Sequence, residues 1–457
     1  MPEPANTQQP PSAAHRVLKA LKWILDTALY YWMIIGIGIA VLLAYLFPNV
    51  GRSEGVIRSQ YSIDYGAVAF IFLVSGISTS TQTIIKMAAH WRSHLLVQVI
   101  SFLITPTIIF AFAEAMRAAH NPRIDPYILV GLIITGCTPT TVSSNIVMTR
   151  QSNGNDSLAL IEVTVGNVLG AFITPALVQM YLSVGTGFSY GNPALGSSVA
   201  SLYGHVMKHL SLAVFLPLAV GQALRGIWPK QVQYLYTTFK LNKIGSFCLL
   251  LLIWTTFSTA FHQNAFEVVP TASIIMTVFF NIGIYLVFCI ICFYMARSPL
   301  SKHALRQLPF LQAEYERAKA RGEKARKPVK YYIYKLIGPF FFTRRDTIAV
   351  ILCGAAKTVV LGVPLINAQY GERSDLIGRV SIPLVLYQGE QLVVSQFLIP
   401  IFKRWVAKED LDNELFGIDD NNLSSGLPVE DDLSSQQSDK KDSVEIQETK
   451  VPVQTII

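Results

Sequence analysis

One stretch of the sequence carries more polar side chains than an ordinary membrane span. GCTPTTVSSNIVMT, from Gly136 to Thr149, holds one proline, four threonines, two serines and an asparagine. It directly continues YILVGLIIT, whose composition is that of a span. Its hydroxyls and its amide could bind an ion or a polar solute. The candidate binding residues are Thr138, Pro139, Thr140, Thr141, Ser143, Ser144 and Asn145.

Pro139 gives this stretch two interpretations. A proline removes a backbone donor and prevents a regular helix through its preceding turn. The freed carbonyl groups must find partners, because unsatisfied polar groups in lipid are costly. Neighbouring Ser and Thr hydroxyls could simply repair such a kink, or the polar groups could line a binding site. The polarity exceeds what one kink needs, which favours the binding site.

Two further apolar runs contain polar or ionisable residues. LALIEVTVGNVLGAF contains Glu162 and Asn167, and ILCGAAKTVVLGVP contains Lys357 and Thr358. Ionisable groups inside membrane spans are costly and usually face a cavity. Lys357 lies at the middle of its run, too far from either end to reach the membrane surface. All four residues therefore join the candidate site.

The composition predicts the elements that position these residues. Of the 457 residues, 51% are hydrophobic and 14% are charged, and the mean hydropathy is +0.41. A water-soluble domain cannot bury this much apolar surface, so the sequence predicts an all-α polytopic membrane protein in contact with the lipid bilayer. Membrane topology explains the net charge of +8, and nucleic acid is not an expected partner. The five cysteines fall within apolar runs and are expected to be buried thiols.

Ten windows of the sequence have the length and composition of membrane spans. They are 26–47, 65–87, 94–116, 127–149, 157–183, 203–226, 241–262, 271–296, 346–368 and 378–402. The two interrupted runs are the fourth and the ninth, which correspond if the chain consists of two five-helix halves. An odd number of spans per half gives the halves opposite orientations. We therefore expect two inverted five-helix repeats with crossed broken helices 4 and 9, an arrangement typical of secondary transporters.

The distribution of Lys and Arg predicts the orientation of the chain. With a cytoplasmic N-terminus, the inside segments hold 29 of these residues and the outside loops hold 6. Without the two long inside segments, which count for less, the comparison is still 10 to 6. Both termini are therefore expected in the cytoplasm. The predicted organisation is an N-terminal segment 1–24, transmembrane helices 1–8 over 25–296, a basic cytoplasmic loop 297–345, transmembrane helices 9–10 over 346–402, and an acidic, disordered cytoplasmic tail 403–457.

The two long soluble segments have opposite charge. The loop 297–345 has 13 basic residues and three glutamates, and AEYERAKARGEKARK within it could form a short surface helix. The tail from Ala407 to Ile457 has 13 acidic residues and four lysines. Both segments could simply be solvated, or the tail could lie on the loop. In the second case, phosphorylation of Ser434, Ser435 or Ser443 could alter the contact.

Several separated motifs resemble those of the bile acid:sodium symporter family. GCTPTTVSSNIVMT, the following Gly154-Asn155 and FITPAL occur in the family's order, and FLPLAVGQALR resembles its sixth-helix motif. The basic loop, FFTRRDTIAV and SIPLVLYQGEQL resemble the member-seven branch, whose fungal members are described as plasma-membrane regulators of calcium homeostasis. The resemblance covers roughly residues 20–405.

The resemblance also implies where sodium-coupled members of the family hold two metal ions. Their ligand positions fall at or near Ser144, Asn145, Ala159, Val163, Cys353 and Lys357. Alanine and valine cannot ligate sodium, and an ammonium group repels it by about 4 kcal/mol at about 4 Å and a dielectric of about 20. We therefore expect neither sodium coupling nor bile-acid transport. Lys357 could replace a bound cation, take up and release a proton, or form an ion pair with Glu162.

Two functions are compatible with the resemblance and the site. The first is a solute-carrier-like plasma-membrane protein that negatively regulates cytosolic calcium by limiting calcium influx, with a calcium channel or pump as partner. The alternative is a secondary transporter that moves a small organic anion through the helix 4/9 site. Neither an enzyme nor a cofactor nor a resident metal is expected. Calcium prefers about six to eight oxygen ligands, and Glu162 is the only carboxylate that we place well inside a span, so direct calcium transport is not favoured.

Overall fold

The described part of the chain is almost entirely α-helical. Its computed structural model describes residues 31–52, 54–78, 90–141, 143–192, 211–321, 327–370 and 374–416, together with residues 22, 82, 204, 207 and 208. The predicted phosphorylation sites Ser434, Ser435 and Ser443 lie outside these ranges, as does most of the predicted N-terminal segment. The described ranges contain no β-strand.

The helices of at least nine residues in these ranges are numbered α1 to α15 in chain order. They are α1 Trp32–Leu46, α2 Ser59–Ser78, α3 Trp91–Ala118, α4 Pro126–Cys137, α5 Ser143–Gln151, α6 Asp156–Tyr181, α7 Ser211–Ile227, α8 Pro229–Thr238, α9 Leu241–His262, α10 Thr271–Ala296, α11 Pro299–Ala320, α12 Val329–Ile337, α13 Arg344–Ala355, α14 Val359–Tyr370 and α15 Ser374–Phe416.

Six segments of the described chain are long and apolar enough to cross a membrane, or seven if the bent pair α7 and α8 is one span. The six are Ser59–Ser78, Trp91–Ala118, Asp156–Tyr181, Leu241–His262, Thr271–Ala320 and Arg344–Tyr370. The chain is therefore a multi-pass membrane protein.

Other predicted spans differ from a simple apolar helix for physical reasons. The fourth is divided into α4 and α5, each shorter than a membrane crossing. The tenth lies within α15, where Gln388, Glu390 and Gln391 lower the mean hydropathy.

Polar side chains cap the helices that lead to the candidate site. The Asp125 carboxylate accepts hydrogen bonds from the first backbone N–H groups of α4, and the Asn155 side chain does the same for α6. Thr343 caps α13. The Asn155 amide also donates a hydrogen bond of 2.7 Å to Asp346 in the first turn of α13. This bond fixes the starts of α6 and α13 beside each other.

α13 and α14 lie at the centre of the helical bundle. In the most apolar 18-residue window of Arg344–Tyr370, 100% of the window is buried inside the protein. In the corresponding window of Thr271–Ala320, the buried share is 33%. α13 packs against α3, α5, α6 and α10, and α14 packs against α6 and α15. A helix surrounded by protein can carry a charged residue that a lipid-facing helix could not.

A second group of helices packs beside this centre. In it, α1 packs on α9, and α2 packs on α7 and α9. The groups are joined mainly by α9, which also contacts α15.

Two predictions about the soluble segments need correction. The disordered tail was predicted to begin at residue 403, but α15 continues to Phe416. Residues 403–416 contain several strong helix formers and neither glycine nor proline, and Gly417 follows directly. The helix predicted in AEYERAKARGEKARK begins earlier, at Pro299, where the Ser298 hydroxyl caps α11. A second helix of the loop, α12, was not predicted.

Candidate functional site

The two interrupted spans are broken at their centres. α4 ends at Cys137, and Thr138 has an extended backbone conformation before α5 begins at Ser143. α13 ends at Ala355, Ala356 is extended, and α14 begins at Val359. Both breaks expose backbone groups that have no partner within their own helix.

The two breaks satisfy each other's backbone groups. The Thr358 N–H donates a hydrogen bond of 3.0 Å to the carbonyl oxygen of Pro139. The Thr141 hydroxyl donates one of 3.0 Å to the carbonyl oxygen of Lys357. These four residues are predicted site residues, and the structure brings them together.

The side chain of Lys357 crosses this junction and is fully buried, with 0% exposure. Its ammonium group donates hydrogen bonds of 2.8 Å to the carbonyl oxygen of Ser101 and 2.9 Å to that of Thr138. The Ser101 hydroxyl lies 3.4 Å away. Three oxygen atoms from α3 and the fourth span therefore surround the positive charge.

The sequence of α3 explains why the Ser101 carbonyl is available. Residues 100–104 form a π-helical turn, in which the Thr105 N–H bonds to the carbonyl oxygen of Ile100. The donor that would continue this pattern to Ser101 belongs to residue 106, which is proline and has no N–H. Pro106 thus leaves the Ser101 carbonyl oxygen without a backbone donor, and the Lys357 ammonium group donates a hydrogen bond to it.

Glutamines of α15 complete the junction. The Lys357 N–H donates to Oε1 of Gln391 at 2.9 Å, and Nε2 of Gln391 donates to the Lys357 carbonyl at 2.7 Å and to the Thr141 hydroxyl at 2.9 Å. Oε1 of Gln388 accepts a bond of 3.4 Å from the Val359 N–H. Sequence analysis missed both glutamines, although their positions in SIPLVLYQGEQL, a mostly apolar run, were a signal.

α6 supports the break of the fourth span from behind. The Asn167 amide donates hydrogen bonds of 3.0 Å to the carbonyl oxygen of Thr140 and 2.8 Å to that of Val163. The Thr174 hydroxyl donates to the carbonyl oxygen of Cys137 at 2.9 Å. Asn167, a predicted site residue, therefore contacts the break of the fourth span. Thr174 adds a contact that was not predicted.

Glu162 lies apart from Lys357 and has other partners. Its carboxylate is 2.9 Å from Nδ1 of His94 and accepts a hydrogen bond of 3.3 Å from Gln98. The carboxylate is 0% exposed, whereas the His94 side chain is 14% exposed. The ion pair with Lys357, one of three alternatives considered for that lysine, is not formed. Sequence analysis missed His94 and Gln98, which begin the third predicted span.

The remaining predicted residues lie at the start of α5. Ser143 begins the helix. The Asn145 amide donates a hydrogen bond of 2.7 Å to the Thr140 hydroxyl. The hydroxyl oxygen of Ser144 is buried and has no hydrogen-bond partner among the described residues. An unpartnered buried hydroxyl beside a helix break could contact a bound ion or solute.

The positions where the resemblance expects sodium ligands on the fifth and ninth helices are filled differently. Ala159, Val163 and Cys353 are each fully buried. The Cys353 thiol lies 3.8 Å from the carbonyl oxygen of Ala159. These three positions therefore present apolar side chains and a thiol, whereas a hard cation would need oxygen ligands.

A second intramembrane carboxylate was also missed. Glu390 lies in α15, and its Oε2 atom is buried without a hydrogen-bond partner in the described chain. Glu162 is therefore not the only carboxylate well inside a span. No group of three or more His, Cys, Asp or Glu side chains suited to a metal ion occurs among the residues described.

A cavity of about 230 Å³, lined by both polar and apolar residues, lies between the two groups of helices. Its walls come from α2, α5, α6, α8 and α9. The polar residues in its lining include Ser75, Arg150, Gln233, Tyr236 and Asn242. The cavity borders α5 and so lies close to the fourth-span break.

Two interrupted helices that meet inside a multi-pass bundle define the protein as a membrane transporter by class. The sequence profile of the SBF-like CPA transporter family matches residues 31–404, and the chain belongs to this family. The family membership expected from the motifs is thus confirmed, and the chain is a membrane solute carrier.

Relatives of known name match most of the chain. It is 46% identical to solute carrier RCH1 of Candida albicans over 402 residues, covering 86% of this chain and 94% of the relative. It is 42% identical to solute carrier RCH1 of Saccharomyces cerevisiae over 398 residues, or 87% of each chain. It is 26% identical to sodium/bile acid cotransporter 7 of Mus musculus over 384 residues, or 84% of this chain and 96% of the relative.

Proposed function

We propose that this solute carrier lies in the plasma membrane and negatively regulates cytosolic calcium by limiting calcium influx. In this proposal Lys357 is a fixed cation at a position where sodium-coupled members of the family hold metal. Calcium itself passes through a partner channel or pump, whose activity the carrier restrains. The likeness to the solute carriers named RCH1 of two fungi supports a carrier. The calcium role is what the resemblance of the motifs to the member-seven branch implies.

The proposed topology has ten membrane-crossing segments in two inverted five-helix repeats. Its support is the pair of breaks, which occur in the fourth and ninth predicted spans and meet each other. Both termini are placed in the cytoplasm because Lys and Arg residues are concentrated in the segments on that side.

The observation that carries the proposal is the set of three oxygen atoms around the Lys357 ammonium group. Rings of backbone carbonyl oxygens are the ligands that proteins offer to alkali cations inside membranes. Because the Lys357 ammonium group is covalently attached to the chain, it fills the space between these oxygen atoms at any sodium concentration. The carrier is therefore expected to act without sodium, and its regulatory state depends on the junction that Lys357 stabilises.

The test measures cytosolic calcium with an encoded indicator after a pulse of external calcium. Cells lacking the protein should show a larger rise than cells that express it. Replacing external sodium with choline should leave this difference unchanged. Lys357→Met should fail to restore the smaller rise, whereas Lys403→Met, which changes an exposed lysine, should restore it fully. Equal rises with and without the protein would refute the proposal.

Transport of a small organic anion is the second candidate function. The cavity beside α5 favours it, because the basic residue Arg150 belongs to the cavity lining. Nε of Arg150 is 2.7 Å from Asp156, so a competing anion would have to share or displace this partner. The test is uptake of radiolabelled carboxylates and sulfates into proteoliposomes. Arg150→Gln should reduce uptake of an accepted anion and Lys230→Gln should not; uptake unaffected by both changes would remove this candidate.

A further inference from the structure

The basic loop carries an apolar stripe that faces away from the rest of the protein. The stripe consists of Val329, Tyr332, Ile333 and Leu336 of α12, which are 74%, 61%, 45% and 65% exposed. Their spacing of i, i+3, i+4 and i+7 places them on one face of the helix. Tyr331 is buried on the opposite face, on the side where α12 packs against α11. An exposed stripe of this kind marks an interaction surface.

An aromatic belt fixes the depth of α12 relative to the membrane. Trp91, at the start of α3, packs edge-on against Phe340, with ring centroids 6.4 Å apart. Phe340 lies three residues after the end of α12. The guanidinium groups of Arg297 and Arg344 lie 5.5 Å and 5.6 Å from the ring of Trp405.

These belt residues sit at the ends of membrane-embedded helices. Arg297 follows α10, and Arg344 begins α13. Tryptophan and arginine concentrate at the headgroup level of a bilayer, where a ring or an alkyl stem can be buried while the polar end stays wet. The turn through Phe340 therefore holds α12 at the membrane surface.

Two exposed lysines of α12 form a basic border beside the stripe, and a third lysine lies on the opposite side, towards α11. Lys330 and Lys335 are exposed on α12, and Lys327 lies just before it. Nζ of Lys327 donates a hydrogen bond of 3.1 Å to the Tyr331 hydroxyl and lies over the rings of Tyr331 and Tyr315, 4.2 Å and 5.0 Å from their centroids. The bond to Tyr331 raises the pKa of Lys327, so this lysine stays charged at physiological pH.

We propose that α12 is an in-plane membrane anchor that inserts its apolar stripe into the adjacent leaflet and binds anionic phospholipid headgroups through the basic border. An apolar helix face with a lysine border at headgroup level has the chemistry that anionic membrane surfaces recognise. This site goes beyond the proposed function, because it requires neither transport nor calcium. The chain continues from α12 through the aromatic belt into α13, so lipid binding acts on the helix that ends beside Lys357.

The test uses the full chain in lipid nanodiscs with an environment-sensitive fluorophore attached at Ile333→Cys. The five native cysteines are buried, so the thiol-reactive fluorophore labels the introduced cysteine and not the native ones. Discs of phosphatidylcholine alone are compared with discs that also contain phosphatidylserine. In the second kind the emission should shift to the blue, and quenching by a water-soluble quencher should fall several-fold. The same label at Gln312→Cys, an exposed polar position of α11, should report no difference.

A matched pair of double variants tests the basic border. Lys330→Gln and Lys335→Gln together should abolish the effect of phosphatidylserine, since each lysine near an anionic surface contributes about fivefold in affinity, or about 25-fold for two. Arg317→Gln and Lys319→Gln remove the same charge from exposed positions of α11 and should preserve the effect.

Three results would overturn the proposal. The label at residue 333 could report the same environment in both kinds of disc. The two double variants could lose the response equally, which would indicate a general charge effect. Cross-linking from residue 333 could also capture the acidic tail or a second copy of the chain instead of phospholipid, in which case protein covers the stripe.

Discussion

The ammonium nitrogen of Lys357 lies 2.9 Å from the carbonyl oxygen of Thr138, so the break of the ninth predicted span donates a hydrogen bond into the break of the fourth. The reverse connection also exists, because the Thr141 hydroxyl donates to the Lys357 carbonyl. Neither break could keep its backbone groups satisfied in lipid without the other. The junction is therefore a single structural unit to which both halves of the chain contribute.

Removing the Lys357 side chain should make the protein sensitive to sodium. Lys357→Ala leaves the carbonyl oxygens of Ser101 and Thr138 without a donor, at a cost of about 1–3 kcal/mol each. Sodium can then enter and bind these oxygens. The melting temperature of the purified variant should be lower than that of the wild type and should rise when choline is exchanged for sodium.

The wild type and Lys403→Ala should melt at the same temperature in both salts. A sodium-dependent rise in the wild type would mean that the ammonium group does not occupy the cation position. A Lys357→Ala variant with the same melting temperature in sodium and in choline would mean that the surrounding helices close the space left by the side chain.

Gln391 should contribute more to stability than its neighbours on α15. Gln391→Leu removes a donor and an acceptor from the Lys357 backbone and a donor from the Thr141 hydroxyl. Each buried group left without a partner costs about 1–3 kcal/mol. Gln396→Leu is the matched control, because Oε1 of Gln396 is buried without a partner in the described chain. Thermal unfolding in detergent should show a large decrease for Gln391→Leu and little change or a gain for Gln396→Leu.

The sequence predicts the two breaks but not how they are satisfied. Pro139 and the polar residues around it identify the first break, and Lys357 with its neighbouring glycines identifies the second. The local-repair interpretation is also partly correct, since the Thr138 hydroxyl bonds to the carbonyl oxygen of Thr135 in its own helix. The partners in α3 and α15 could not be assigned, because they depend on which helices surround the ninth span.

Glu162 illustrates the same limit. Its type and position identify it as a buried charge that needs a partner, and Lys357 is the nearest choice by sequence reasoning alone. The structure instead pairs it with His94. A histidine near the start of a span is easily interpreted as an interfacial residue, and only the packing of α3 against α6 brings its ring to the carboxylate.

His94 and Glu162 should be strongly coupled in a double-mutant cycle. Removing one partner of a buried hydrogen bond costs about 1–3 kcal/mol, because the remaining polar group is left unsatisfied. His94→Ala and Glu162→Gln should therefore each destabilise the protein, and the double variant should be less destabilised than the sum of the two. The unfolding free energies of the four proteins give the coupling.

Arg150 and Asp156 form the control pair for this cycle. Their side chains are 71% and 33% exposed, so a coupling of about 0.2–1 kcal/mol is expected for them. Equal coupling energies for the two pairs would show that burial does not strengthen the contact between His94 and Glu162.

Gly170 should be intolerant of even one added methyl group, because α6 must approach the break of the fourth span closely. A Cβ atom at this position would lie 2.6 Å from Cγ of Pro139, whose ring cannot rotate away. Gly170→Ala should therefore destabilise the protein by about 1–3 kcal/mol through overpacking. It should also weaken the calcium regulation that we propose, since it displaces the residues that hold Lys357. Gly283→Ala in α10 is the control, because a Cβ there meets nothing within 4 Å and alanine is favoured over glycine in a helix by roughly 0.5–1 kcal/mol. Melting temperatures of the two variants should change in opposite directions, and a Gly170→Ala protein as stable as the wild type would show that Pro139 does not pack against α6.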